Sequence, residues 1–265
     1  MQLITILQRL SIAALLLAAN TVAVQAEIHT EVVEYEVDGK SHTGYLAYDT
    51  ATPTPRPGVL VVHEWWGLGA YEQRRARMLA ELGYAAFAVD MYGTGKLTSD
   101  RDQAREWMQN VTTDVEWWRS IALEGIDVLQ HKANVDPRRI AAIGYCFGGG
   151  TVLQLAYGGA DLVGIVSFHG SLPAAPATAK IKSKILVINA YADPFLPRDV
   201  VSNFQSALEK TGADWQMIEY GGGVLHSFTN PDADNHNLPV FKYDAVADQR
   251  SWSAMLTFLQ EVLHK

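Results

Sequence analysis

The stretch Gly144-Tyr145-Cys146-Phe147-Gly148-Gly149-Gly150 constrains this chain more than any other. An apolar run, residues 139–144, precedes it and reads as a buried strand. Residues 151–157 follow and read as the start of a helix. A chain that passes from strand to helix through Gly-x-Cys-x-Gly must turn sharply, with strained backbone angles at the central residue. The flanking glycines leave room for strand and helix to approach closely. Such a turn lifts one side chain clear of the backbone, and here that side chain is a thiol. Cys146 is the only cysteine in 265 residues, so no internal disulfide can claim it. Free cysteine is often buried and inert, but a thiol at this kind of turn reads as a nucleophile.

The first residues have the order of an export signal. Arg9 supplies the basic end, residues 10–19 an apolar core, and Val24-Gln25-Ala26 a small-residue cleavage site. The apolar run is short for a bilayer span. This reading assigns residues 1–26 to a cleaved signal peptide and 27–265 to one domain. It puts the protein in the periplasm or outside the cell, with no stable membrane association after cleavage. Exported chains usually use cysteines in pairs, and a lone thiol in an oxidising compartment is open to oxidation. The formal net charge is −8, and no basic stripe interrupts it, which excludes a nucleic-acid partner.

Beyond the signal, residues 31–38 and 42–48 alternate polar and apolar, as half-buried strands do, with Asp38-Gly39 as the turn between them. Residues 52–57 form a proline-rich loop. Residues 58–63 are continuously apolar, typical of a parallel strand covered on both faces. A helix over 71–82 ends at Gly83, and a strand follows over 84–89. Thr113-x-x-Glu116 reads as a capping box opening a helix to about Gln130. Residues 162–168, 184–189 and 215–220 read as strands, and 200–209 and 245–263 as helices. Repeated strand-then-helix units predict a single-domain α/β fold. Its sheet is mostly parallel, with an antiparallel N-terminal edge and helices on both faces.

A thiol nucleophile needs a base, and the base needs an orienting group. In the α/β-hydrolase fold the chain order is nucleophile, acid, histidine. Asp193, just beyond the strand ending at Asn189, and His226, in Gly223-Val-Leu-His-Ser-Phe228 after the last strand, meet that order. Both follow the C-terminal ends of strands, where ligands bind in open α/β sheets. The backbone N–H of Phe147, at a helix N-terminus, and that of Trp65, in the loop after residues 58–63, are the expected oxyanion donors. Each such donor typically supplies about 3–4 kcal/mol of barrier lowering. Glu64 heads the same loop; it reads either as a carboxylate that takes the thiol proton or pairs with His226, or as an exposed loop residue. Trp66 and His169 are expected to line the substrate pocket, Trp66 with the alternative of core packing.

These residues resemble the dienelactone hydrolase family. Gly144-Tyr-Cys-Phe-Gly-Gly149, Val62-His-Glu-Trp-Trp-Gly67, Val89-Asp-Met-Tyr92, Asp193-Pro-Phe-Leu-Pro197 and His226-Ser-Phe228 carry the resemblance across nearly the whole chain after residue 26. It implies an α/β-hydrolase fold with a Cys146, His226, Asp193 triad, and a carboxylic ester hydrolase acting on a small ester or lactone through a cysteine acyl-enzyme. It implies no cofactor and no metal. It also implies that Glu64 modulates the thiol, holding it at rest. The best-known members grip a substrate carboxylate with two arginines; this chain has Thr94 and Asn230 at those places. Two other readings stay open on the same scaffold: hydrolysis of activated esters or phosphotriesters, and non-catalytic binding of a small molecule.

Overall fold

The structure is a computed structural model that describes residues 27–264. The expected signal peptide, residues 1–26, lies outside the described residues. Strands β1 (Ile28–Val37) and β2 (Lys40–Asp49) form an antiparallel hairpin. Its turn is Asp38-Gly39, with φ of 49° and 70°. Two left-handed residues give the turn whose twist matches its strands, which is why Asp-Gly sits there.

Six further strands follow: β3 (Arg56–Val62), β4 (Ala85–Val89), β5 (Val135–Tyr145), β6 (Gly164–Phe168), β7 (Lys184–Ala190) and β8 (Trp215–Tyr220). The sheet runs β1-β2-β4-β3-β5-β6-β7-β8, parallel from β4 to β8 and antiparallel at the hairpin edge. Helices α1 (Ala70–Ala80), α2 (Arg101–Thr112), α3 (Val115–Lys132), α4 (Phe147–Gly158), α5 (Arg198–Glu209) and α6 (Ala245–Leu263) supply the crossovers and cover both faces. Alternation along β3 shows why its run is continuously apolar. Leu60 and Val62 belong to the core layer under α3 and α4, while Val59 and Val61 belong to the layer under α1 on the other face. Among the described residues no helix is long and apolar enough to cross a membrane.

Three local features differ from the sequence reading. Helix α2 was not anticipated; Asp100 caps it by accepting from the Gln103 N–H. Thr113 does not cap α3. Its hydroxyl donates backward to the Gln109 carbonyl at 2.7 Å, closing α2, and Asp114 caps α3 by accepting from Glu116 and Trp117 N–H. Helix α4 begins at Phe147, four residues earlier than expected, so the glycine run is helical. Glycine is a poor helix former, but this place has no room for anything larger. A Cβ on Gly148 would lie 2.3 Å from the Val62 carbonyl oxygen, and one on Gly149 2.7 Å from the Gly170 Cα.

Candidate active site

Cys146 sits between β5 and α4 with φ 53° and ψ −114°, a strained conformation for a side-chain-bearing residue. The strain is held from both sides. The Gly148 N–H donates to the His63 carbonyl at 3.1 Å, and the Cys146 N–H donates to the Phe168 carbonyl at 3.0 Å. The thiol is partly exposed, at the C-terminal end of the parallel sheet.

His226 lies in the segment between β8 and α6. Its Nδ1 is 2.7 Å from Asp193 Oδ2, and its ring lies close enough to the Cys146 side chain for that group to raise its pKa. Asp193 caps the turn after β7. Its other oxygen, Oδ1, accepts from the Phe195 N–H at 2.9 Å. Both His226 and Asp193 are buried. Burial opposes a charge on the imidazole, but Cys146 and Asp193 together outweigh it and push the His226 pKa up to about 10. The structure therefore brings the three expected side chains together, with Asp193 bonded to the imidazole and Cys146 beside it.

Helix α4 directs its N-terminus at the space beside Cys146. Among the described residues, no protein acceptor engages the N–H of Phe147 or of Trp65. The Glu64–Trp65 peptide is fixed by its other end. His63 Nε2 accepts from the Met91 N–H at 3.1 Å, so Nδ1 carries the ring hydrogen and donates to the Glu64 carbonyl. A trans peptide points its N–H opposite its carbonyl, which turns the Trp65 N–H away from His63. Glu72 clamps both ends of the same loop, accepting from the Glu64 N–H at 3.1 Å and the Gly69 N–H at 2.9 Å.

Glu64 is buried, so the exposed-loop reading does not hold. Its carboxylate accepts from Ser227 Oγ at 2.8 Å and Asn230 Nδ2 at 2.7 Å. Burial raises its pKa, and those two donors work against the rise. Both oxygens are thus turned to the segment that follows His226. Ser227 was not singled out in the sequence, although it stands next to the histidine.

Two expected pocket-lining residues are elsewhere. Trp66 is buried in a small satellite core with Ala104, Ala233 and Phe241, and stacks on His236 with ring centroids 3.8 Å apart. His169 is fully buried behind the elbow, with both ring nitrogens hydrogen-bonded. The exposed aromatic ring at the site is instead that of Phe195, whose centroid lies 5.0 Å from that of His226, with the buried Phe241 ring behind at 5.2 Å. Phe195 is 54% exposed. Phe241 reaches the site only because the chain returns in a turn, its N–H donating to the Leu238 carbonyl. No local sequence signal marks that return. Among the described residues no three His, Cys, Asp or Glu side chains converge as a metal site would need.

Comparison with known proteins gives a consistent result. The dienelactone hydrolase family matches residues 43–263. A solved structure of a dienelactone hydrolase-like promiscuous phosphotriesterase from metagenomic libraries superimposes with a TM-score of 0.85 at 37% identity, covering 89% of this chain and 98% of that one. "Protein usf" of Aquifex pyrophilus is 29% identical over 242 residues, covering 88% of this chain and 99% of that protein. A protein of Aquifex aeolicus strain VF5, provisionally named carboxymethylenebutenolidase, is 27% identical over the same shares of the two chains.

Proposed function

The chain belongs to the dienelactone hydrolase family of carboxylic ester hydrolases, and from that premise we propose that it cleaves an uncharged carboxylic ester or lactone through a thioester on Cys146. The observation that carries the reading is His226, hydrogen-bonded to Asp193 and near enough to Cys146 for the two to bear on each other's charge. The sulfur attacks the carbonyl carbon as thiolate, and the carbonyl electron pair moves onto oxygen. The N–H groups of Phe147 and Trp65 hold that oxyanion. The pair then returns, the C–O bond breaks, and the leaving alkoxide takes the proton from the His226 imidazolium. Neutral His226 next removes a proton from water, which attacks the thioester; the thiolate leaves and the acid is released. Asp193 keeps the imidazole hydrogen on Nδ1, so that Nε2 faces the sulfur and the water.

The uncharged substrate follows from what surrounds the reacting groups. Asn230 donates to Glu64, and the Thr94 hydroxyl pairs with that of Thr43 at 2.8 Å. Neither can neutralise a substrate carboxylate, and the buried Glu64 and Asp193 would repel one. Phe195 offers an apolar surface beside His226 to the acyl or leaving group, backed by the buried Phe241. A second reading, attack on a phosphotriester, is favoured by the 37% identical phosphotriesterase structure; such substrates are also uncharged.

The test is release of p-nitrophenol from p-nitrophenyl butyrate, its hemisuccinate analogue and a diethyl aryl phosphate, by the parent protein and by Cys146→Ala. The expected result is hydrolysis of the butyrate, little of the hemisuccinate, and a loss of about 10⁴-fold or more in the variant. Equal rates in parent and variant would remove Cys146 from the reaction. Hydrolysis of none of the three would favour a binding role.

A further inference from the structure

We propose that His169 is a positioning residue whose neutral ring ties the main chain of Cys146 to the segment that carries His226, and so sets the separation of thiol and imidazole. The inference rests on Cys146 and His226 being the reacting pair, as proposed above.

The hydrogen bonds fix the state of the ring. The Cys146 N–H points at His169 Nδ1, 3.2 Å away, and an N–H can only donate, so Nδ1 accepts. The hydrogen of neutral imidazole is then on Nε2, which donates to Thr229 Oγ1 at 2.7 Å. Burial, and after it the neighbouring His226, hold the ring well below the usual histidine range, in keeping with that neutral form.

Thr229 is a fixed point. Its Oγ1 is 2.6 Å from the Tyr71 hydroxyl, and its carbonyl accepts from Arg75 at 2.7 Å. Arg75 in turn pairs with Asp248 of α6. Three residues before Thr229 stands His226, just ahead of a turn closed by the Asn230 N–H on the Ser227 carbonyl at 2.9 Å. One buried imidazole thus joins the strained residue of the elbow to the anchored end of the histidine turn. His169 itself has φ 37°, a region asparagine and glycine occupy more readily than histidine. The bridge made by its ring is what histidine adds at this position. The Cys146 N–H also retains the Phe168 carbonyl, so loss of the ring leaves the elbow's main chain bonded.

Two pairs of variants test the bridge with p-nitrophenyl butyrate, reading kcat and KM separately beside the melting temperature. His169→Asn keeps an oxygen where Nδ1 lies but is too short for Thr229. His169→Gln reaches Thr229 but offers Cys146 no acceptor. Each half of the bridge is therefore cut in turn, and Thr229→Val cuts it at the far end without changing volume. The expected result is a kcat lower by about 10- to 100-fold in all three with KM within about twofold, the signature of misplaced reacting groups. Thr229→Ser, which keeps the oxygen, should return kcat to within about threefold of the parent. His169→Asn combined with Thr229→Val should cost no more than the worse single variant, because both break one connection. Parent-like kcat in folded His169→Asn and His169→Gln overturns the proposal. So does a double variant whose losses multiply, or a Thr229→Ser as impaired as Thr229→Val. Full activity in Cys146→Ala, run alongside, would instead defeat the reading of the nucleophile.

Discussion

Cys146 and His226 face each other, but the two segments that carry them are held in different ways. The elbow is positioned by exclusion. Gly148 lies against the Val62 carbonyl and Gly149 against Gly170, so close that no Cβ fits, and the main chain has one path left. The segment from β8 to α6 has no such contacts. Gly221, Gly222 and Gly223 open it with no neighbour within reach of a Cβ, and its regular structure is one 3-10 turn at Ala233–His236. It is positioned by bonding instead: Asp193 on His226, Glu64 on Ser227 and Asn230, Arg75 and Tyr71 on Thr229. A segment placed by exclusion fails by not folding. A segment placed by hydrogen bonds fails by folding with its chemistry misaligned.

The sharpest break in that contrast comes from Asp193→Asn. The Phe195 N–H at Oδ1 keeps the amide oxygen on its own side, so the amide NH₂ faces His226 Nδ1. Nδ1 must then accept, the imidazole hydrogen moves to Nε2, and the ring can no longer take a proton from the sulfur. Steady-state kinetics should show kcat lower by about 10³- to 10⁴-fold, with the melting temperature nearly kept. A variant that unfolds instead would erase the distinction drawn here. Gly148→Ala should do the opposite. Its methyl group must displace the end of β3, and thermal denaturation should show a loss of about 3 kcal/mol. Unchanged stability would mean that exclusion does not hold the elbow.

The smallest effect is on pH dependence. Burial opposes charge on His226, but Cys146 and Asp193 raise its pKa from an ordinary 6.5 to about 10. A raised histidine stabilises the fold fully below about pH 6.5, and that contribution is lost as the pH rises through 10. Cys146→Ala removes the largest favourable cause, so the fall in melting temperature between pH 6.5 and 10 should be shallower by about 2–4 °C. Parallel curves for parent and variant would mean that thiol and imidazole do not share charge in the folded protein.

The same division governs what could be read from the sequence. Residues 58–63 and the Gly-x-Cys-x-Gly turn were legible because their constraints are local: a run of apolar residues and a spacing of glycines. Asp193 and His226 were legible by chain order after identifiable strands. Local competition defeated the cap at Thr113, since two adjacent residues both suit a helix end and only the path of α2 shows which one closes it. Trp66 and His169 stand next to site residues in sequence, yet both are buried; adjacency does not say which way a ring packs. The partners of Glu64 come from more than 160 residues away, and no spacing rule connects them.

The hairpin edge has a consequence for how molecules of this protein meet. Among the described residues strand β1 pairs only with β2, and its outer side presents main-chain donors and acceptors along its length. An exposed edge of that length invites a second chain to extend the sheet. Glu34 and Glu36 stand on one face of β1 and Glu31 on the other, so a second copy joining there would bring carboxylates towards carboxylates. With a formal charge of −8 on every copy, like charges oppose the joining of a second copy along that edge.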